Sequence, residues 1–219
     1  KTCQMTTTTK EDENNDEKVL QECRSKSNFY HSKFPDIPSL SSNDLIRQQS
    51  QPIDDTSKIL LVDVRTQAER NISIIPNSIS LSEFHNIMKG YNPTTESSSL
   101  LPFASVVTYC TVGYRSGIEA RRLRDLYSLP RVQNLDGIIS YTHACGSKKG
   151  MPALGKNLVA SLIHPETKEA TNQVHIFGSS WNYVHSSYEI KFFNRWYLAW
   201  MSLQVGFLVL VRKIQGWKK

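Results

Sequence analysis

The chain is poor in cysteine, and the few it has show no metal-binding arrangement. Cys3, Cys23, Cys110 and Cys145 lack the paired spacing of a zinc site and are too sparse for the disulfide scaffold of a small secreted domain. They read as individually reactive or buried thiols in a reducing intracellular compartment or organelle. His143, His164, His175 and His185 do not make a ligand spacing with one another, so neither a metal nor another cofactor is expected. A basic block interleaved with aromatics is also missing. The formal charge of +6 is spread along the chain with a local excess at the C-terminus, and nucleic acid is not an expected partner. No apolar signal opens the sequence, which begins with Lys1 rather than Met, leaving open a removed presequence or a fragment boundary.

What is present is enough apolar residue, 39% of 219, for one medium domain with additions. Thr6 to about Lys18 is Thr, Asn, Glu, Asp and Lys with almost nothing to bury, so residues 1–35 are expected to be a disordered or loosely ordered leader. Ser41, Ser42 and Asp44 ahead of Leu45 and Ile46 predict a capped helix over Ser42 to Gln49. Lys58 to Val64 is a continuous aliphatic and β-branched run of the kind that lies in a sheet covered on both faces. Ile79 to Leu81 is a weaker strand candidate, and Ala104 to Cys110 a strong one that runs into a glycine-containing turn. Gly117 to Tyr127 places Ile118, Leu123 and Leu126 at helical spacing. Arg131 to Leu135 is a further strand, and Ile138 to Ala144 begins a helix. This alternation predicts an α/β domain over residues 36–155, a parallel sheet flanked by helices with right-handed crossovers.

Two additions follow. Residues 156–190 read as a small hairpin-like extension containing a strand at Gln173 to Phe177, and residues 191–219 as an apolar C-terminal helix with basic flanks. Trp196 to Val211 is apolar on every side except for Ser202 and Gln204, and its sixteen residues fall short of the roughly 20 of a full span. Aromatics at both ends suit a membrane interface, so membrane contact through Trp196 to Trp217 and a helix buried against the domain fit this run about equally well.

Cys110 closes a buried strand and precedes a helix, where loop amides and the positive helix end favour a thiolate. In the loop Cys110-Thr111-Val112-Gly113-Tyr114-Arg115, Gly113 supplies backbone freedom and Arg115 an anion partner. Sulfur transfer needs little more than a thiolate and a cradle for its persulfide.

Together with Ser116, this loop resembles the C-x-x-G-x-R active loop of the rhodanese family. Leu61 to Arg65 is similar to that family's D-V-R segment, Ile75 to Leu81 to its I-P-G-A stretch, and Val132 to Tyr141 to the segment before the final helix. The resemblance runs in order from about Pro38 to Pro152. It implies the rhodanese fold and a persulfide on Cys110, fed by a small sulfur donor and passed to a thiol or cyanide. Thr111, Val112, Gly113, Tyr114 and Arg115 would bind the substrate. Six residues from Cys110 to Arg115 resemble a sulfurtransferase loop, whereas related phosphatases use a longer one. Thr111 stands where the family often has a basic residue, so a persulfide donor is expected over small anions such as thiosulfate. Asn77 replaces a glycine that the turn after Ile75-Pro76 would favour, and Asn tolerates left-handed backbone. Tyr141 replaces a common Trp at little expected cost. Asp63 and Arg65 are expected to be structural. Two competing readings stand beside the enzyme: a catalytically idle rhodanese-like module that binds a partner or membrane surface, and a redox protein pairing Cys110 with Cys145. Nothing in the sequence sets the oligomeric state.

Overall fold

A computed structural model of the chain describes residues 10–50, 58–89, 103–146 and 161–193. At its centre is a five-stranded, wholly parallel sheet, in the order β1 (Ser39–Leu40), β5 (Val132–Leu135), β4 (Ser105–Tyr109), β2 (Ile59–Asp63), β3 (Ile79–Ser80). The two central strands pair in register from Ile59 opposite Ser105 to Asp63 opposite Tyr109. Period-two alternation sends Val62, Val106 and Val132 to one face, with Ala120 and Leu123 of α5 (Tyr114–Tyr127) and Phe84 and Met88 of α4 (Leu81–Lys89). Leu61, Val107 and Leu135 go to the other face, against Leu45 and Ile46 of α2 (Ser42–Gln49) and Ile138 and Ile139 of α6 (Ile138–Gly146). The sheet is covered on both sides, as its continuous aliphatic strands require.

Local signals in the sequence match these elements closely. The capped helix starts and ends where predicted, with the Ser41 hydroxyl accepting the Asp44 N–H at 3.1 Å. Asn77 has φ 62°, the left-handed backbone expected of it in the turn after Pro76.

Part of the segment read as a disordered leader is instead a 22-residue helix, α1 (Lys10–His31). Asp16, Cys23 and Ser27, followed beyond the helix by Phe34, form a buried stripe at helical spacing. Its polar members find partners on the domain. Ser27 Oγ donates to the Asp136 carbonyl, and Asp16 accepts from Ser186 N–H at 2.9 Å and its hydroxyl at 2.6 Å. Composition alone could not reveal these bonds. Cys23, within this helix, is fully buried.

The extension is hairpin-like only in its first part. β6 (Leu162–Ile163) and β7 (Ala170–Thr171) make a short antiparallel pair, whereas β8 (Gln173–Ile176) pairs parallel with β9 (Glu189–Phe192). The twelve intervening residues form a crossover with a short 3-10 turn at Ser179–Trp181 rather than a hairpin turn. The apolar run Trp196 to Val211 lies outside the described residues. Among those described, no helix is long and apolar enough to cross a membrane.

Candidate functional site

Cys110 follows the last residue of β4, at the C-terminal edge of the sheet's middle strand. Backbone bonds from Ile138 N–H to the Cys110 carbonyl (2.9 Å) and from Ile139 N–H to the Thr111 carbonyl (3.3 Å) tie the loop to the start of α6. That approach explains Gly137. It has φ 105°, and a Cβ there would lie 2.4 Å from the Thr111 carbonyl oxygen. Gly113, with φ 95°, turns the chain into α5, and its carbonyl accepts from Asn134 Nδ2 at 2.8 Å. His31 covers Gly113 from α1, where an added Cβ would meet its Nε2 at 2.7 Å.

The thiol is 1% exposed. Two donors are directed at Sγ: the Gly113 N–H at 3.2 Å and the Ser116 hydroxyl at 3.4 Å. Negative charge on the sulfur, whether thiolate or leaving group, would be stabilised by both.

Arg115 is the residue whose placement differs most from expectation. Its guanidinium makes a fork-to-fork pair with Glu69, Nη1 to Oε2 at 2.8 Å and Nη2 to Oε1 at 2.7 Å, and also donates to Thr111 Oγ1 at 2.9 Å. Burial by itself would raise the Glu69 carboxyl. The hydrogen bonds and charge of Arg115, with help from Arg65 and the Thr66 amide, outweigh it and hold the group at about 2. The same carboxylate closes a capping box with Thr66 at the start of α3 (Gln67–Arg70). Arg115 is therefore already paired, with a third of its side chain exposed and its guanidinium carbon 5.3 Å from the Phe177 ring centre.

The other loop residues divide. Thr111 and Val112 are buried, and Thr111 Oγ1 donates to Glu69 at 3.3 Å. Tyr114 is 45% exposed and packs between Tyr30 (5.3 Å) and Phe34 (5.9 Å) in a surface aromatic cluster. Asp63 and Arg65 form a fully buried pair, Nη2 to Oδ2 at 2.8 Å, with Tyr109 and the Ser73 carbonyl as further partners. That is a structural role, as expected. Cys145 is pushed up to about 12 by burial, against the bonds of Tyr188 and Tyr141, which disfavours it as an attacking resolving thiol. A cleft of 640 Å³ lined by Asp36, Ile59, Ser105, Arg124 and Val132 opens at the other end of the strands.

Four residues at or around the loop carry no role from the sequence: Ser116 beside Cys110, Glu69 and Phe177 against Arg115, and His175 near that pair. Ser116 was within sight, one residue beyond the loop. Glu69 was legible only as the fourth residue of a Thr-x-x-Glu capping box. His175 and Phe177 come from the extension, and no sequence signal connects them to the loop.

A thiol at a strand-to-helix turn of a parallel α/β sheet, with donors aimed at its sulfur, defines a cysteine-based site. Residues 46–142 match the model of the rhodanese-like domain. No curated protein matches the chain. Solved structures similar in part include a rhodanese-like domain protein from Staphylococcus aureus, 18% identical over 46% of this chain and 86% of that one, TM-score 0.34. A protein of unknown function and possible tyrosine phosphatase from Rhodopseudomonas palustris is 22% identical over 63% and 90%, TM-score 0.33. Thiosulfate sulfurtransferase from Pseudomonas aeruginosa is 19% identical over 57% of this chain and 22% of that one, TM-score 0.38. Likenesses at this level say nothing of activity.

Proposed function

We propose that the chain is a sulfurtransferase that carries a sulfane sulfur on Cys110. The observation behind this reading is the pair of donors, Gly113 N–H and Ser116 Oγ–H, aimed at a cysteine sulfur on the strand-to-helix turn. In the first half-reaction the Cys110 thiolate attacks the outer sulfur of a donor R–S–SH. The S–S bond breaks, RS⁻ departs, and the proton stays on the transferred sulfur, leaving Cys110–S–SH. In the second, an acceptor thiolate takes that outer sulfur with its proton and Cys110 leaves as thiolate; cyanide instead leaves as thiocyanate, with the proton staying on Cys110. No external oxidant or reductant is needed. Thr111, Gly113 and Arg115 would shape the cradle, with Val112 packed beneath it and Tyr114 at its rim. The Glu69 partner of Arg115 argues against a phosphatase, which needs that cation for its oxyanion.

The alternative is a catalytically idle module that binds a partner or a membrane surface. The near-complete burial of Cys110 favours it. Intact-mass analysis of the full chain after incubation with glutathione persulfide or thiosulfate separates the two. Gain of one sulfur, removable by cyanide and absent in Cys110→Ser, is the expected result. A folded, reduced chain that gains none from either donor overturns the enzyme reading in favour of the module.

A further inference from the structure

The wall facing the Glu69–Arg115 pair comes from beyond the family match. β8 packs against α3 and carries His175, with Phe177 just past its end. The Phe177 ring lies 5.3 Å from the Arg115 guanidinium carbon. His175 is 5% exposed, its ring packs on Phe193 at 4.2 Å, and its buried Nδ1 has no hydrogen-bond partner among the described residues. An orphaned polar atom inside a protein is uncommon, and a water or a polar group of a ligand can satisfy it.

Charge at this wall can be counted. The groups acting on His175 are Glu69, Arg65 and Arg115. Arg115 is paired with Glu69, and Arg65 with Asp63. Burial lowers the His175 pKa, so the imidazole adds no charge at neutral pH. Among the described residues, the charged groups at this wall thus leave no unpaired cation, although the loop is of a type expected to hold an anion.

We propose that Phe177 and His175 are specificity-determining residues that select an organic persulfide, R–S–SH, with R against the Phe177 ring and a polar group of R on His175 Nδ1, and that reject thiosulfate. The inference rests on the sulfurtransferase reading above. Thiosulfate carries two negative charges and, on attack by Cys110, releases sulfite with the same charge. Its approach and departure both call for a free cation that this wall does not offer. A persulfide asks for less charge and gains from apolar contact with the ring.

Rates of sulfur loading on the full chain, with glutathione persulfide and with thiosulfate as probes, test this. The wild type is expected to prefer the persulfide by at least about tenfold. Phe177→Ala removes the apolar contact for R and should lower the preference for the persulfide by about tenfold, mainly through its KM. Phe177→Leu, which keeps apolar cover, should restore the wild-type preference, and His175→Ala should raise KM for the persulfide with kcat little changed. Equal loading of the wild type from both donors, or a ratio unmoved by Phe177→Ala, overturns the proposal while leaving the sulfurtransferase reading intact. Loading of the wild type from neither donor sinks that reading, and this inference with it.

Discussion

Cys110 and Cys23 are equally hidden, at 1% and 0% exposure, yet their surroundings treat charge in opposite ways. Around Cys110 two donors point at the sulfur, and the nearby Arg115 has a carboxylate that matches it. Among the described residues Cys23 has one hydrogen-bond contact, Ser140 Oγ at 3.3 Å, and burial pushes the thiol up to about 11. Asp136 in the same region is pushed up to about 6, because burial outweighs the Ser42 bonds and the charge of Arg24. Burial is common to both places and so does not set them apart. What differs is compensation: the strand-to-helix turn brings donors and a paired cation to one sulfur, whereas the helix packing of α1 on α6 brings almost none to the other.

Removing the compensation should do the most damage. Glu69→Ala would leave Arg115 without its carboxylate, strip Thr111 of an acceptor and open the capping box of α3. Breaking a buried pair by deleting one partner costs about 3–5 kcal/mol, with the partial exposure of Arg115 pointing to the lower end. Chemical denaturation of Glu69→Ala against wild type measures it. A loss comparable to that of a surface ion pair would mean that compensation at the Cys110 pocket is not what holds it together.

Relieving the uncompensated pocket should have the opposite sign. A carboxyl raised to about 6 in the folded state binds a proton that the unfolded chain has already released. Its contribution to stability is therefore full below the ordinary carboxyl value and is lost as pH rises through about 6. Asp136→Asn removes that loss while keeping an acceptor for the Ser42 hydroxyl. A rise of about two units corresponds to about 2–3 kcal/mol, so the variant should be more stable than wild type by roughly that much at pH 8 and equal to it near pH 4. Thermal or urea melts across this range measure the difference. A flat difference would show that Asp136 is not held uncharged by its burial.

The two pockets were also unequally legible. The Cys110 loop, the strand before it and the helix after it are contiguous in sequence, so local pattern was enough to place Cys110, Gly113 and the sheet. Asn77 could be assigned a left-handed turn for the same reason. The Cys23 pocket joins α1 to α6 across more than a hundred residues through Ser140 and Asp136, and a stripe interrupted by Asp16 and Ser27 does not look apolar until its partners are known. Arg115 was read as an anion binder because its own carboxylate sits 46 positions away. Likewise, Gln173 to Phe177 was recognisable as a strand, but its parallel pairing with Glu189 to Phe192 and its place beside Arg115 depend on a crossover with no local signature.

The smallest effect expected is the most direct test of the donors. In the second half-reaction of the proposed transfer Cys110 would be the leaving group, and negative charge would return to Sγ as the acceptor takes the outer sulfur. Ser116 Oγ–H and Gly113 N–H lie where that charge develops. Ser116→Ala deletes one of them within a fully buried position and removes little volume. A hydrogen bond to a charged group contributes roughly 1.5 kcal/mol, so transfer from pre-loaded Cys110 to an acceptor thiol should slow about tenfold. Loading should slow less, because there the sulfur loses charge rather than gains it. Ser140→Ala makes the equivalent change beside Cys23 and should leave both half-reactions at the wild-type rate. Single-turnover transfer followed by intact mass reads all of these rates. If Ser140→Ala slows transfer as much as Ser116→Ala does, the donors directed at Cys110 are not what sets its pocket apart.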